Sequence, residues 1–594
     1  MAESIAITDY KDLGKLRTKK PQNRDFARSN LRPIYALDTE TYEGNVFLIA
    51  DSDGRYLDKI TPELVIKFLF HKKYQCSWNF FFNLGYDAEV ILKLLGSELF
   101  RYRNSRKLRF RFEQYTIEYI PNKCFKIRKK HHSVIFYDVA QFFNSTLQQA
   151  FQSNIGKLDQ SYLVMKEKRS ELSPTFYRRN TTIVRKYCIQ DCNYAKQLSE
   201  KWIQLFFDAF GFYPLKWYSS GYLAERVLIN NGIEFPKFDS IPYEIQELAY
   251  RSYFGGRFEM LKRGFIGKAY LYDINSAYPF AITKIPDLSN GQWIQSKLIH
   301  DKANLGFFKI QTNIPDCKYI PPFPFRAQNN IIFPSGRFET YVTLEELRAC
   351  ENANFYKILE SWQFIPNSIT YPYKEFIDKL YQKRLDLKSN NDPLQLPIKI
   401  ILNSIYGKTG QKVNRVIGNL FNPVIFAFIT GFARAQLYRF VAENDLEKQV
   451  IAFATDSICT TKKLNIDSNK LGEFSFDGSS DDIFFLQNGF YRFNGKWKQR
   501  GFGKLSGKEI EHLETFEKKG KLFYKIRILR NSRLRTSIIQ NQISEIGKIK
   551  PIVRQMNLNA DRKRFWLGKI ESIDFKMMNE SMPISMNYFV KNEI

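Results

Sequence analysis

Soft metal ligands are scarce in this sequence: five histidines and seven cysteines among 594 residues. No two cysteines form a C-x-x-C pair. Cys188 and Cys192 stand four apart, but no second pair or histidine cluster accompanies them. A zinc site is therefore not expected. Scattered cysteines suit a reducing compartment, and the expected location is intracellular: cytoplasmic, with an organelle matrix as the other such setting. Long apolar runs are also missing. None reaches the roughly 18 residues of a membrane span. The longest, Val424–Ala433, reads as a buried helix, and the N-terminus shows no apolar leader. Repeats and low-complexity segments are absent. Acid is in short supply, with 61 Asp and Glu against 90 Lys and Arg, a net charge of +29. Such an excess favours a polyanionic partner, most simply nucleic acid. With 44% hydrophobic and 16% aromatic residues the chain can bury large cores, and its length exceeds a single core, so several domains are expected.

The few acids include some placed inside apolar strands. Tyr270–Pro279, Y-L-Y-D-I-N-S-A-Y-P, reads as a short buried strand, Tyr270–Ile274, running into a turn. Asp273 is costly to bury there unless paired, and a divalent metal is the commonest partner. Val450–Thr461, V-I-A-F-A-T-D-S-I-C-T-T, repeats the arrangement, with Asp456 inside a second apolar strand. Two such aspartates can hold two metal ions about 3.5–4 Å apart, the geometry of in-line phosphoryl transfer. Between them lies Lys399–Lys408, K-I-I-L-N-S-I-Y-G-K, in which Lys399, Asn403 and Tyr406 share one helix face.

More acids stand upstream. Ile34–Leu37 reads as a strand leading to Asp38-Thr39-Glu40, where Asp38 and Glu40 point to one face. Trp78–Asp87, W-N-F-F-F-N-L-G-Y-D, is an apolar strand ending at Asn83 and Asp87. Arg185–Cys192 reads as helix, with Tyr187 and Asp191 one turn apart.

In order and residue type, the first three stretches resemble motifs A, B and C of family B DNA polymerases: D-x-x-S-L-Y-P, K-x-x-x-N-S-x-Y-G and D-T-D-S. The upstream set D-x-E, N-x-x-x-D and Y-x-x-x-D resembles the DEDDy-type 3′→5′ exonuclease of the same family. The resemblance implies a multidomain α/β (α+β) fold, a ribonuclease H-like exonuclease followed by a right-hand palm, fingers and thumb. The expected division is a basic N-terminal arm over 1–33, the exonuclease over 34–200, a connector over 201–250, palm with an insertion over 251–373, fingers over 374–425, palm with motif C over 426–505 and thumb over 506–594. Implied metal ligands are Asp273, the Ile274 carbonyl and Asp456 in the palm, and Asp38, Glu40, Asp87 and Asp191 in the exonuclease. Tyr187 would orient the attacking water. Two Mg²⁺ per site are implied, with Mn²⁺ able to substitute.

Further roles follow from the resemblance. Tyr278 would stack under the nucleotide sugar and exclude a 2′-hydroxyl. Two antiparallel helices, Lys374–Ser389 and Leu396–Ile405, joined by N-N-D-P, would form the fingers. Arg384, Lys388 and Lys399 would point from them at the triphosphate, since cationic clamps stabilise transferring phosphates. Asn403, Tyr406 and Gly407 would line the nascent base pair. For DNA, Asn83 belongs to the exonuclease motifs. Thr146-Leu147 resembles an (S/T)-L-x-x-hydrophobic element that grips single strands, and either Lys166 or Lys168 matches a supporting lysine. Tyr253-Phe254-Gly255-Gly256 resembles the Y-x-G-G element, and Lys498-Gln499-Arg500-Gly501 the K-x-x-G element that holds the primer. Lys518–Arg535, with eight basic residues and no acid, reads as a thumb gripping duplex phosphates.

The sequence departs from the pattern in places. Ala277 replaces the usual leucine of motif A, and Ala454 the first aspartate of motif C. The 120 residues from Pro279 to Lys399 resemble the insertion of protein-primed polymerases, whereas the 49 from Gly407 to Asp456 leave that subgroup's second insertion reduced. Strand displacement and processivity are thus not implied. The expected function is a DNA-directed DNA polymerase with proofreading, of the protein-primed type of viruses and linear plasmids. Its expected partners are DNA primer-template and deoxynucleoside triphosphates, with a terminal (priming) protein and a single-strand-binding protein as candidates and no membrane. The alternatives are a small nucleic-acid-primed family B enzyme, or a non-catalytic DNA-binding replication factor, for which Ala454 speaks.

Overall fold

Ile34–Tyr42 is a central strand of an eight-stranded sheet. It pairs antiparallel with Asn45–Asp51 on one side and parallel with Trp78–Phe81 on the other. His132–Asp138 continues the parallel run, and the meander Cys124–Lys129, Tyr115–Ile120, Arg109–Phe112 completes the sheet. Trp78–Phe81 is buried on both faces, which suits its mostly apolar sequence, and its one polar residue, Asn79, donates to the carbonyls of Tyr74 and Ile135. This is the ribonuclease H-like order. In Arg109–Phe112, Phe110 is fully buried while Arg109 and Arg111 face solvent, the wet cationic face its alternation suggests. The 30-residue helix Thr181–Phe210 lies across the first two strands and stops at Gly211, whose φ of 76° suits glycine. The expected boundary at residue 200 therefore falls inside a helix. No glycine or proline interrupts the helical pattern before Gly211.

The computed structural model describes residues 30–588 apart from 106–107, 169–171, 329, 414–415, 501–504, 506–509, 511–512, 520 and 571–576, together with the backbone of Ala2–Glu3 and Arg17–Thr18.

The palm sheet runs in the order Arg257–Met260, Val450–Thr455, Ser457–Thr460, Lys262–Ile274, Phe474–Gln487, Phe490–Phe493, Lys496–Gln499. Motif A thus ends a 13-residue strand rather than forming the short one expected. The insertion folds as its own sheet of Gly291–Gln295, Leu305–Thr312, Phe338–Thr343 and Tyr356–Pro366, followed in sequence by the fingers. Two pieces of the basic arm are strands: Ala2–Glu3 runs parallel to Phe338–Thr343, and Arg17–Thr18 parallel to Val416–Ile417. The fingers helices are Lys374–Ser389 and Gln395–Thr409, packed on each other. Pro423–Glu443 is long and apolar enough to cross a membrane, but 89% of its apolar window is buried within the protein.

The C-terminal stretch expected to be thumb divides three ways. Thr515–Lys518, Lys521–Asn531 and Ile549–Asn557 form a sheet on which Tyr524 and Ile526 are buried and Lys525 and Arg527 exposed. The segment between the last two strands leaves that sheet and enters the exonuclease core, where Leu534, Ile538 and Ile546 are buried among Val90, Ile91 and Leu99. Finally Arg564–Trp566 and Met578–Pro583 return to the palm, the latter pairing with Lys262–Gly264. Pairing with a distant strand edge leaves no local signal, so the 506–594 boundary overstates the thumb.

Candidate active sites

Asp273 lies opposite Ser457 across an antiparallel pair, one residue from Asp456, and the Ile274 N–H donates to the Asp456 carbonyl at 2.9 Å. The two aspartates of motifs A and C are thus brought together. Asp456 is not inside a strand, as expected, but in the turn between Val450–Thr455 and Ser457–Thr460. The turn is made by Thr455 at φ 70°, a conformation β-branched residues avoid, which is why the apolar run hid it. Burial, then the charges of Asp456 and Asp477, push the Asp273 carboxyl up to about 7. Burial also raises Asp456.

Asp477 was not foreseen. It sits where the pairing of Phe474–Gln487 with the motif A strand slips by one residue, between partners Phe476 and Gly478. Such bulges re-aim side chains beside active sites. The signal available was the Asp477-Gly478 step, which breaks the apolar–polar alternation of the strand.

Around these acids the aromatic and cationic residues gather. Tyr278 and Tyr406 have ring centroids 4.4 Å apart, and the Tyr406 hydroxyl is 3.1 Å from that of Tyr253. Burial, then Asp456 and Tyr253, raise the Tyr278 phenol to about 12. Arg384 donates to the Ser276 hydroxyl at 3.3 Å, so the first fingers helix reaches motif A. Burial lowers the Arg384 pKa, the signature of a cation with too little countercharge. Lys388, Lys399, Asn403 and Gly407 are exposed on the fingers helices. Lys408, unremarked in the sequence, is buried against Glu225 at 2.6 Å and anchors the motif B helix to Ser220–Asn230. Burial opposes the Glu225 charge, yet Lys408 and Arg226 outweigh it and hold that carboxyl low. Lys498 and Arg500 line a cavity of about 250 Å³ with Leu271, Ala452, Ala454 and Cys459. Leu271, Cys459 and Ala454 share the sheet face of Asp273 and Ser457, so this cavity continues the acidic face where motif C lacks its first aspartate.

In the N-terminal domain, the ligand atoms of Asp38, Glu40 and Cys188 lie within 4.8 Å of one another. Its hydrogen bond with Cys192, then burial, lifts the Cys188 thiol well above its ordinary value. The thiol donates to the Asp38 carbonyl, and the oxygen donors of the trio are the Asp38 and Glu40 carboxylates. Thr39 donates to Asp87 at 2.5 Å, and Tyr162 to Asp191 at 2.6 Å. Tyr162 and Tyr187 stack at 5.3 Å. Lys166 stands 3.7 Å from Asp191 and over both rings, whereas Lys168 caps the helix end. Of the two lysines, Lys166 is the one beside Asp191. Asn83, at φ 68°, is exposed, and its N–H donates to Asp138 at 3.0 Å. Thr146 caps helix Leu147–Asn154 in a capping box with Gln149, and Leu147 packs partly buried beneath it.

A ribonuclease H-like domain joined to a palm, fingers and thumb, with an acidic cluster in each half, defines the class of type B polymerases. Residues 72–417, more than half the chain, match the family described as DNA polymerase type B, organellar and viral, and the chain belongs to it. Its relatives include the DNA polymerase of Acidianus bottle-shaped virus (isolate Italy/Pozzuoli), 26% identical over 338 residues, covering 50% of each chain. Another is the DNA-directed DNA polymerase of Enterobacteria phage PRD1, 24% identical over 291 residues, 42% of this chain and 51% of that one. The chain spans about half the length of these curated relatives. Among solved structures, Phi29 DNA polymerase complexed with primer-template DNA and incoming nucleotide substrates superposes with a TM-score of 0.60 at 14% identity, over 89% of this chain and 100% of that one. The same polymerase complexed with single-stranded DNA gives 0.52 at 15% identity, over 88% and 92%.

Proposed function

We propose that the chain is a DNA-directed DNA polymerase with a 3′→5′ proofreading exonuclease, acting in protein-primed replication of a viral or plasmid genome. The observation that carries the polymerase reading is the meeting of Asp273 and Asp456, with Asp477 close enough for its charge to act on Asp273. Like charges raise each other's pKa, and a carboxyl held near 7 is a ligand waiting for a cation. Hard oxygen donors in this number fit Mg²⁺, with Mn²⁺ as substitute. Asp273, the Ile274 carbonyl and Asp456 would hold two ions, whose charge, when bound, favours the primer 3′-alkoxide and the departing pyrophosphate.

The remaining work is done by side chains. Arg384, Lys388 and Lys399 gather the triphosphate charge from the fingers side and orient it for in-line attack. Tyr278 packs under the deoxyribose and leaves no room for a 2′-hydroxyl. Tyr406, braced by Tyr253, with Asn403 and Gly407, lines the nascent pair. Lys498 and Arg500 hold the primer, Gly255 and Gly256 let backbone approach DNA, and the exposed basic face of the thumb sheet grips phosphates without reading bases. In the exonuclease, Asp38, Glu40, Asp87 and Asp191 would hold the second ion pair, Tyr187 orients water, and Lys166 steadies Asp191. Asn83, Thr146 and Leu147 receive the single strand. Protein priming rests on the size and separate fold of the insertion between motifs A and B. A terminal protein and a single-strand-binding protein are the partners this entails.

Purified chain, labelled primer-template and Mg²⁺ test the reading. Extension with nucleotides and shortening without them are expected; a chain that binds DNA but does neither is the non-catalytic factor. A labelled protein–nucleotide adduct, formed with a candidate priming protein, tests the priming mode. Tyr278→Val is expected to admit ribonucleotides at least ~10-fold better relative to deoxynucleotides, since steric exclusion of one hydroxyl is worth a few kcal/mol. Unchanged discrimination in single-nucleotide kinetics would remove Tyr278 from that role.

A further inference from the structure

The motif C turn holds an awkward backbone. Thr455, between Ala454 and Asp456, sits at φ 70° although it is β-branched. Its turn is closed locally by the Asp456 N–H donating to the Ala454 carbonyl at 2.8 Å, with the Ser457 hydroxyl on the same carbonyl at 3.3 Å. A conformation this unfavourable persists only where the surroundings impose it. The neighbour packed directly against it is Gly256. A Cβ added there would lie 2.7 Å from Thr455 Cγ2 and 3.1 Å from its Cα, so only glycine backbone can press this closely.

Gly256 in turn is held from behind. The Arg434 guanidinium donates to the Gly255 carbonyl at 2.5 Å and makes a bidentate pair with Glu346 at 2.8 and 2.9 Å. Both side chains are only 2% exposed. Arg434 belongs to the long helix Pro423–Glu443, and Glu346 to Leu344–Ala349 of the insertion. Glu346 is itself fixed, accepting from the Thr343 N–H and hydroxyl at 3.0 Å each. One turn before Arg434, Gly431 lets the long helix touch Thr343, where a Cβ would come within 2.4 Å. On the other flank of Phe254, Arg326 donates to the Tyr253 carbonyl at 2.8 Å. The Y-F-G-G loop is thus pinned at two carbonyls by two guanidiniums.

We propose that Arg434, locked by Glu346, is a positioning residue for nucleotidyl transfer: it presses the Gly255–Gly256 backbone onto Thr455, and the turn so formed aims the Asp456 carboxylate at Asp273. Both side chains are buried, behind the loop rather than on the open face of the site. The proposal rests on the reading of Asp273 and Asp456 as metal ligands. It also gives the insertion a direct mechanical connection to the catalytic acids.

The test removes the pair together, because a lone buried charge would itself destabilise the fold. In an exonuclease-silenced background (Asp38→Ala, Glu40→Ala), Arg434→Met/Glu346→Met is expected to lower kcat for single-nucleotide incorporation by about 10²-fold, the effect of misplacing a catalytic group by about 1 Å. KM for the nucleotide should change little. Half-saturation by Mn²⁺, followed by electron paramagnetic resonance, should rise. Adding Thr455→Gly should restore part of the lost kcat and Mn²⁺ affinity, since glycine takes φ 70° without being pressed into it. A merely structural pair predicts no such rescue. Unchanged Mn²⁺ binding in the double variant, or loss that Thr455→Gly leaves uncorrected, overturns the proposal. If the parent chain extends no primer at all, the polymerase reading fails by itself, and the Mn²⁺ titration still decides the positioning role.

Discussion

Asp456→Asn leaves the shape of the motif C turn and removes its charge. Primer extension is expected to fall by about 10³-fold or more, because metal stabilisation of the transition state contributes several kcal/mol and each ~1.4 is a factor of ten. The loss should be confined to synthesis. Asp38, Glu40, Asp87 and Asp191 lie on a different sheet and its helices, and coordination is a local matter. Degradation of single-stranded primer should therefore continue at the parental rate. The measurement is one time course with nucleotides and one without. Normal extension by Asp456→Asn would mean that the synthetic site lies elsewhere.

The reciprocal change is Asp38→Ala with Glu40→Ala. The carboxylates at the centre of the N-terminal cluster disappear, and 3′→5′ degradation is expected to drop by about 10³-fold for the same reason. Extension from a matched primer stays, while mismatched 3′ ends are no longer removed. Persistent degradation after rigorous purification would sink the exonuclease assignment. Together the two variants separate the halves of the molecule, since no shared ligand can produce opposite phenotypes.

How much of this could be read from residues alone depends on where the information lies along the chain. Motif order singled out the acids that the fold brings together, because each acid sits in a short run whose polarity contradicts its burial. The first fingers helix was legible to the residue, Lys374–Ser389, since N-N-D-P ends one helical pattern and opens the next. Asp456 falls outside the expected strand because its turn contains neither glycine nor proline; Thr455 takes the left-handed region itself, packed against Gly256 of a loop far earlier in the chain. Lys166 could have been preferred from spacing, as it stands four residues after Tyr162 on one helix face. Asp477 depends on a register slip between strands, and the Asp477-Gly478 step marks the slip without saying which strand it faces. The division of the C-terminal stretch depends on contacts hundreds of residues apart, such as Leu534 with Glu89, whose carboxylate accepts the Leu534 N–H at 3.1 Å.

That last contact has a consequence for how the protein is made. Lys93, on the helix that carries Asp87, donates to the carbonyls of Gly44 and Ile546 and ties the first hairpin to the far end of the chain. Leu534, Ile538 and Ile546 fill a core whose other members are all synthesised before residue 137. During translation the N-terminal domain must wait, with that apolar gap open, until some 400 further residues have emerged. Closing so long a loop slows folding more than it weakens the finished structure. Excising the C-terminal half would therefore leave an N-terminal domain with a hole in it, so a free-standing version needs polar replacements around Val90 and Leu99, or residues 532–548 supplied as a separate peptide.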